Sequence, residues 1–130
     1  MCHVLIIEDE PLIAMLIETM VEDGGATSWD IAVTQEEAIA VALAHPPDVI
    51  TSDVHLLEGT GPLAIAAIIA ALGERPVIYV TATPDACRPV SASTVVLNKP
   101  VHAIAFEHVF KRMCDNATIT NAIKPIDATG

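Results

Sequence analysis

The chain has 130 residues, 52% of them hydrophobic, and a net charge of -11 from 17 acidic and 6 basic side chains. That length makes one domain with room for a real core, and no apolar run is long enough to span a membrane. The acid excess argues against direct contact with nucleic acid, because phosphate is held by Lys and Arg.

Met1-Cys2-His3 leads straight into an apolar run. It leaves no room for a signal peptide, so the expectation is a cytoplasmic protein. The cysteines, Cys2, Cys87 and Cys114, are odd in number and lack metal-type spacing. They fit a reducing compartment and argue against a disulfide framework.

Val4-Leu5-Ile6-Ile7 predicts a first strand buried on both faces. Glu8-Asp9-Glu10-Pro11 then opens a helix, with Asp9 as its expected N-cap and Pro11 in the first turn. Leu12, Ile13, Leu16, Ile17, Met20 and Val21 recur at helical spacing until Gly24-Gly25. Residues 29–33 form a less apolar second strand, expected nearer an edge. Thr34-Gln35-Glu36-Glu37 is a capping box for a second helix, which Pro46-Pro47 stops.

Asp48-Val49-Ile50-Thr51-Ser52-Asp53 reads as a buried strand that delivers a carboxylate to the rim of a sheet. A turn at Glu58-Gly59-Thr60-Gly61-Pro62 starts a third helix, nearly free of charge, that ends at Gly73. Val77-Ile78-Tyr79-Val80 is the fourth strand and ends in Thr81; residues 94–97 are the fifth and lead to Asn98-Lys99-Pro100. Residues 102–114 form the last helix, with Ile104, Phe106, Val109, Phe110 and Met113 as its apolar face. The expected division is a domain over residues 1–115 and a frayed polar tail over 116–130.

Strands alternating with helices predict a parallel sheet covered on both faces. Sites in such sheets form beyond the carboxyl ends of the strands, where strand order switches. Glu8, Asp9, Asp53, Thr81 and Lys99 all fall at such ends. Each has an ordinary reading alone. Glu8 and Asp9 suit a helix start, Asp53 suits a turn, Thr81 suits a strand, and Lys99 could be a solvated loop lysine. Their joint placement, in a chain so poor in lysine, favours a site. His3, His45, His102 and His108 show no spacing that suggests zinc and are expected at the surface or in caps. The imidazole of His55 is given no metal role.

In this order, and with the run Ile6-Ile7-Glu8-Asp9-Glu10-Pro11-Leu12-Ile13-Ala14, the chain resembles the receiver domain of bacterial two-component response regulators over roughly residues 3–114. The resemblance implies an α/β, flavodoxin-like, doubly wound sheet of five parallel strands in the order 2-1-3-4-5. It implies that Asp53 is a nucleophile that accepts a phosphoryl group and that Thr81 and Lys99 hold the phosphoryl oxygens. It places Mg2+ or Mn2+ on Glu8, Asp9, Asp53 and the backbone carbonyl of His55. The added charge of about -1.5 to -2 would be the switch, acting on residues 81–96. Such a protein is a stoichiometric phosphoacceptor with self-dephosphorylation, not an enzyme. Its implied partners are a sensor histidine kinase or a histidine phosphotransfer protein and a downstream protein, with no membrane contact; a homodimer stays open. Two alternatives are a pseudo-receiver that works by binding alone and a small hydrolase with an aspartate nucleophile. The second would usually carry another acid where His55 stands, and a cap domain.

The chain departs from the family pattern in three places. Val96 stands where an aromatic residue is usual, and Glu8 stands for a common Asp. The stretch from Thr81 to Lys99 is short and holds Pro84 and Pro89, so a fourth helix there is expected to be short or absent. His55 and Thr83 occupy positions that tune phosphate lifetime in the family. No output domain follows, which fits a stand-alone receiver or a fragment.

Overall fold

Short runs rich in β-branched residues pair into one parallel sheet. A computed structural model describes residues 1–84 and 93–127, and side chains as far as residue 117. The strands are β1 (His3–Ile7), β2 (Ser28–Ala32), β3 (Val49–Ser52), β4 (Val77–Thr81) and β5 (Thr94–Asn98), ordered β2-β1-β3-β4-β5. That order is the expected one. β1, β3 and β4 are buried almost throughout, while β2 is only partly covered, as an edge strand should be.

Among the described residues four helices surround the sheet: α1 (Pro11–Asp23), α2 (Gln35–Ala44), α3 (Gly61–Leu72) and α4 (Ala103–Asp127). The strand period of two sorts side chains between two cores. Leu5, Ile7, Ile50 and Tyr79 pack with α2 and α3, where Ala38, Ala42 and Ala64 are fully buried. Val4, Ile6, Ile78 and Val80 pack with α1 and α4, through Ile17, Met20, Phe106 and Phe110. Full burial of a side chain like Phe106 or Phe110 contributes about 1.5–3 kcal/mol.

The capping box forms in part. Thr34 Oγ1 accepts the Glu37 N–H at 3.1 Å, while Glu37 Oε1 accepts from the N–H of Val33, one residue before the cap. His45 is the C-cap of α2, one of the roles expected of it. Three expectations are corrected. The N-cap of α1 is Glu10, not Asp9, because Pro11 takes the first helical position and the residue before it caps. The helix read as ending at Cys114 continues to Asp127; residues 115–124 contain neither Gly nor Pro to stop it. Cys2 and Cys114, expected to be unpaired, are joined by a disulfide with a Cα separation of 5.6 Å. α4 carries Phe106, Phe110 and Cys114 at four-residue intervals on its buried face and brings the last beside the start of β1. The shortened helix expected between β4 and β5 would involve residues 85–92, which lie outside the described residues.

Candidate functional site

The sheet's hydrogen-bond ladder continues one step past the strand ends and holds the backbone of three key residues. The N–H of Glu8 donates to Ala32 O at 2.9 Å, that of Asp53 to Ile7 O at 2.9 Å, and that of Lys99 to Thr81 O at 2.9 Å. Their side chains therefore leave from fixed positions just past the ends of β1, β3 and β5. Lys99 Nζ donates to Asp53 Oδ2 at 2.9 Å, and lies 3.4 Å from Glu10 Oε1 and 3.7 Å from Glu8 Oε1. Asp53, only 8% exposed, also accepts the Val54 N–H on Oδ1 at 2.7 Å. Residues brought together from 46 positions apart or more thus share one lysine.

Glu8 has the costliest position. Its Oε2 accepts the Glu10 N–H at 3.2 Å, but its buried Oε1 has no hydrogen-bond partner. The 3.7 Å to Lys99 is close enough for attraction but too long for a hydrogen bond. Burial raises the Glu8 carboxyl from 4.5 to about 7, and neighbouring Asp53 and Glu10 add to the rise; the Glu10 N–H and Lys99 oppose it. Burial alone would lower the Lys99 ammonium. The hydrogen bond to Asp53 and the pull of Glu8, Asp53 and Glu10 outweigh that and hold it above its ordinary value.

Glu8, Asp9, Glu10 and Asp53 each place a carboxylate oxygen within 4.8 Å of the others. Hard oxygen donors, an acid surplus and an orphaned buried oxygen fit a divalent cation of the Mg2+ type. Glu10 was missed as a site residue, although it is the third acid in a row after β1. Gly61 was missed too. A side chain there would run into the Asp53 carbonyl oxygen and Ser52 Oγ, so the first turn of α3 presses on the aspartate's backbone only because residue 61 is glycine.

Thr81 is buried at the end of β4, and its hydroxyl pairs with Thr83, at 3.1 Å to Oγ1 and 3.0 Å to the N–H. His55 is exposed and forms an isolated antiparallel bridge with Thr60 that closes the turn after Asp53.

The family model for the response regulator receiver domain matches residues 4–124. The chain belongs to the receiver family. Over 84 residues it is 40% identical to the phyllosphere-induced regulator PhyR of Methylorubrum extorquens, a match that covers 64% of this chain and 32% of that protein. The solution structure of the PhyR receiver domain from Erythrobacter litoralis aligns at a TM-score of 0.77 and 28% identity, over 86% of this chain and 88% of that one. The crystal structure of the anti-anti-sigma factor PhyR from Bartonella quintana aligns at 0.74 and 31% identity, over 96% of this chain and 51% of that one. The chain thus spans about a third of the curated relative's length and about half of the Bartonella protein's. In this receiver Val96 packs, half-buried, against the α2–α3 core, in register with the buried Tyr79 of β4. Among the described residues, no helix is long and apolar enough to cross a membrane.

Proposed function

We propose that this receiver takes a phosphoryl group onto Asp53 from the phosphohistidine of a sensor kinase or phosphotransfer protein, and that the modification switches a protein–protein contact. The observation that carries the reading is the 2.9 Å contact of Lys99 with Asp53 inside a pocket of four converging carboxylates. An Asp53 oxygen forms the new O–P bond while the donor's P–N bond breaks, and the imidazole departs with the electron pair. Lys99 offsets charge on the transferring oxygens as a point charge. Glu8, Asp9, Asp53 and the His55 carbonyl would hold Mg2+ or Mn2+, which supplies the remaining neutralisation. The Thr81 hydroxyl exchanges its bond to Thr83 for one to a phosphoryl oxygen. The gain of about -1.5 to -2 in charge then acts on the end of β4 at Thr81 and on Thr83. The receiver is consumed and reset as a stoichiometric acceptor. The Bartonella relative is named an anti-anti-sigma factor; the receiver portion shared with it supports a regulatory protein as the downstream partner here.

Incubation with a small acyl phosphate and Mg2+ tests the proposal by intact mass. The wild type should gain one phosphoryl group and Asp53→Asn none. An unmodified wild type, or equal uptake by the variant, would sink it. The pseudo-receiver reading draws on Val96 and on the Thr81 hydroxyl being already engaged. It expects no chemical-shift change at Thr81 and Lys99 on addition of Mg2+ and beryllofluoride.

A further inference from the structure

The geometry points to a second cation site at the opposite pole of the sheet, a transition-metal site of the zinc class built from His3, Asp30 and His45. The three residues come from the start of β1, the middle of β2 and the C-cap of α2. The register pairs His3 with Ser28, and the two-residue strand period puts Asp30 on the same face as Ser28. His3 Nε2 faces Asp30 Oδ2 at 3.0 Å, and His45 Nδ1 faces the same oxygen at 3.3 Å. Two imidazole nitrogens thus converge on one carboxylate oxygen from separate elements.

Those separations have the size of ligand–ligand edges around a tetrahedral Zn2+, about 3.3–3.5 Å for bonds of about 2.0–2.2 Å. The His3–His45 edge is open in this structure, with ring centroids 6.2 Å apart, so binding requires the His45 ring, whose side chain is 68% exposed, to turn toward His3. The other nitrogen of His3 is already occupied. Nδ1 pairs with Ser28 Oγ at 2.7 Å, the kind of partner that orients a metal-ligating histidine and sets its tautomer. The His3 backbone is also pinned, its N–H donating to Asp48 Oδ2 at 2.9 Å. A cleft of about 420 Å³, lined by these residues with Trp29 and Pro46, opens onto the cluster and gives room for a water as fourth ligand.

The donor set determines the class of cation. Two imidazoles and a carboxylate suit Zn2+ and its neighbours, whereas the all-oxygen pocket at Asp53 suits Mg2+. A cation at the histidine pole would tie edge strand β2 and the end of α2 to β1. This inference does not rest on the phosphoacceptor reading.

The test titrates tag-free protein, saturated with Mg2+ to fill the acidic pocket, with Zn2+ and with Co2+. Histidine ring resonances and Co2+ absorption are followed. The expected result is one equivalent bound, with the rings of His3 and His45 shifted and those of His55, His102 and His108 unmoved. Affinity should fall at least about tenfold in Asp30→Asn and in His45→Gln; the latter alters a mostly exposed side chain and should leave the fold intact. Unchanged affinity in both variants, unshifted His3 and His45 rings at saturation, or a thiolate charge-transfer band from a cysteine ligand would each overturn it.

Discussion

At the carboxyl ends of the strands one lysine faces Glu8, Glu10 and Asp53, and Glu8 is buried with an oxygen that no hydrogen bond reaches. At the amino ends one carboxylate, Asp30, faces two imidazoles, and a disulfide joins Cys2, the residue before β1, to α4. One sheet spans both poles, with β1 contributing to each, yet the local chemistry is inverted. One pole concentrates like charge in a place poor in water, which a cation or a transferred group can relieve. The other pairs its groups internally and is fastened covalently. The difference separates the roles of the poles: the acidic end should govern reaction and its pH dependence, and the histidine end should govern stability.

The largest effect should come from the fastening. Cys2 and Cys114 are 112 residues apart, and closing a loop of that length constrains the unfolded chain by about 4–5 kcal/mol. Denaturant unfolding with and without a phosphine reductant should show a loss of that order, with phosphoryl uptake from a small donor little altered. Equal midpoints would remove the disulfide from the account of stability. A large fall in uptake would show the two poles to be coupled.

Glu8 comes next. Without metal, its folded carboxyl holds a proton up to about pH 7, against 4.5 unfolded. Its contribution to stability is therefore complete below about pH 4.5 and is lost as pH rises through about 7, by about 3 kcal/mol in all. The stability difference between wild type and Glu8→Gln should shift by that amount across this window. Mg2+ should bind more tightly as pH rises through 7, since the ion competes with the proton. A pH-independent difference would mean that Glu8 is not held protonated by its surroundings.

Lys99→Met should produce the smallest of the three effects in free energy. It removes the cation paired with Asp53 at 2.9 Å and should slow phosphoryl uptake about 100-fold, about 2.7 kcal/mol. Rates from a small acyl phosphate, followed by mass, would check this. A rate within twofold of wild type would make the lysine merely a structural counter-charge.

Much of the acidic pole was legible in the chain. Residues 4–7 and 49–52 form buried strands, and the acid that follows each, Glu8 or Asp53, then stands at the rim of the sheet. Glu8, Asp53 and Lys99 could be placed that way, since each is the next ladder step after its strand. The role of Glu10 in the pocket was not readable, because it depends on which residue Pro11 leaves outside the helix. The closeness of Gly61 to Asp53 depends on how tightly α3 settles on β3.

The amino acids alone determined five strands, their helices and the ends at which acids and lysine collect, because apolar periodicity and turn residues act over a few neighbours. Tertiary structure decided which distant side chains meet. Cys2 found Cys114, and His3 found Asp30 and His45, only through strand register and the packing of α4 and α2. No local pattern encodes such meetings, since each is set by how whole elements lie against one another.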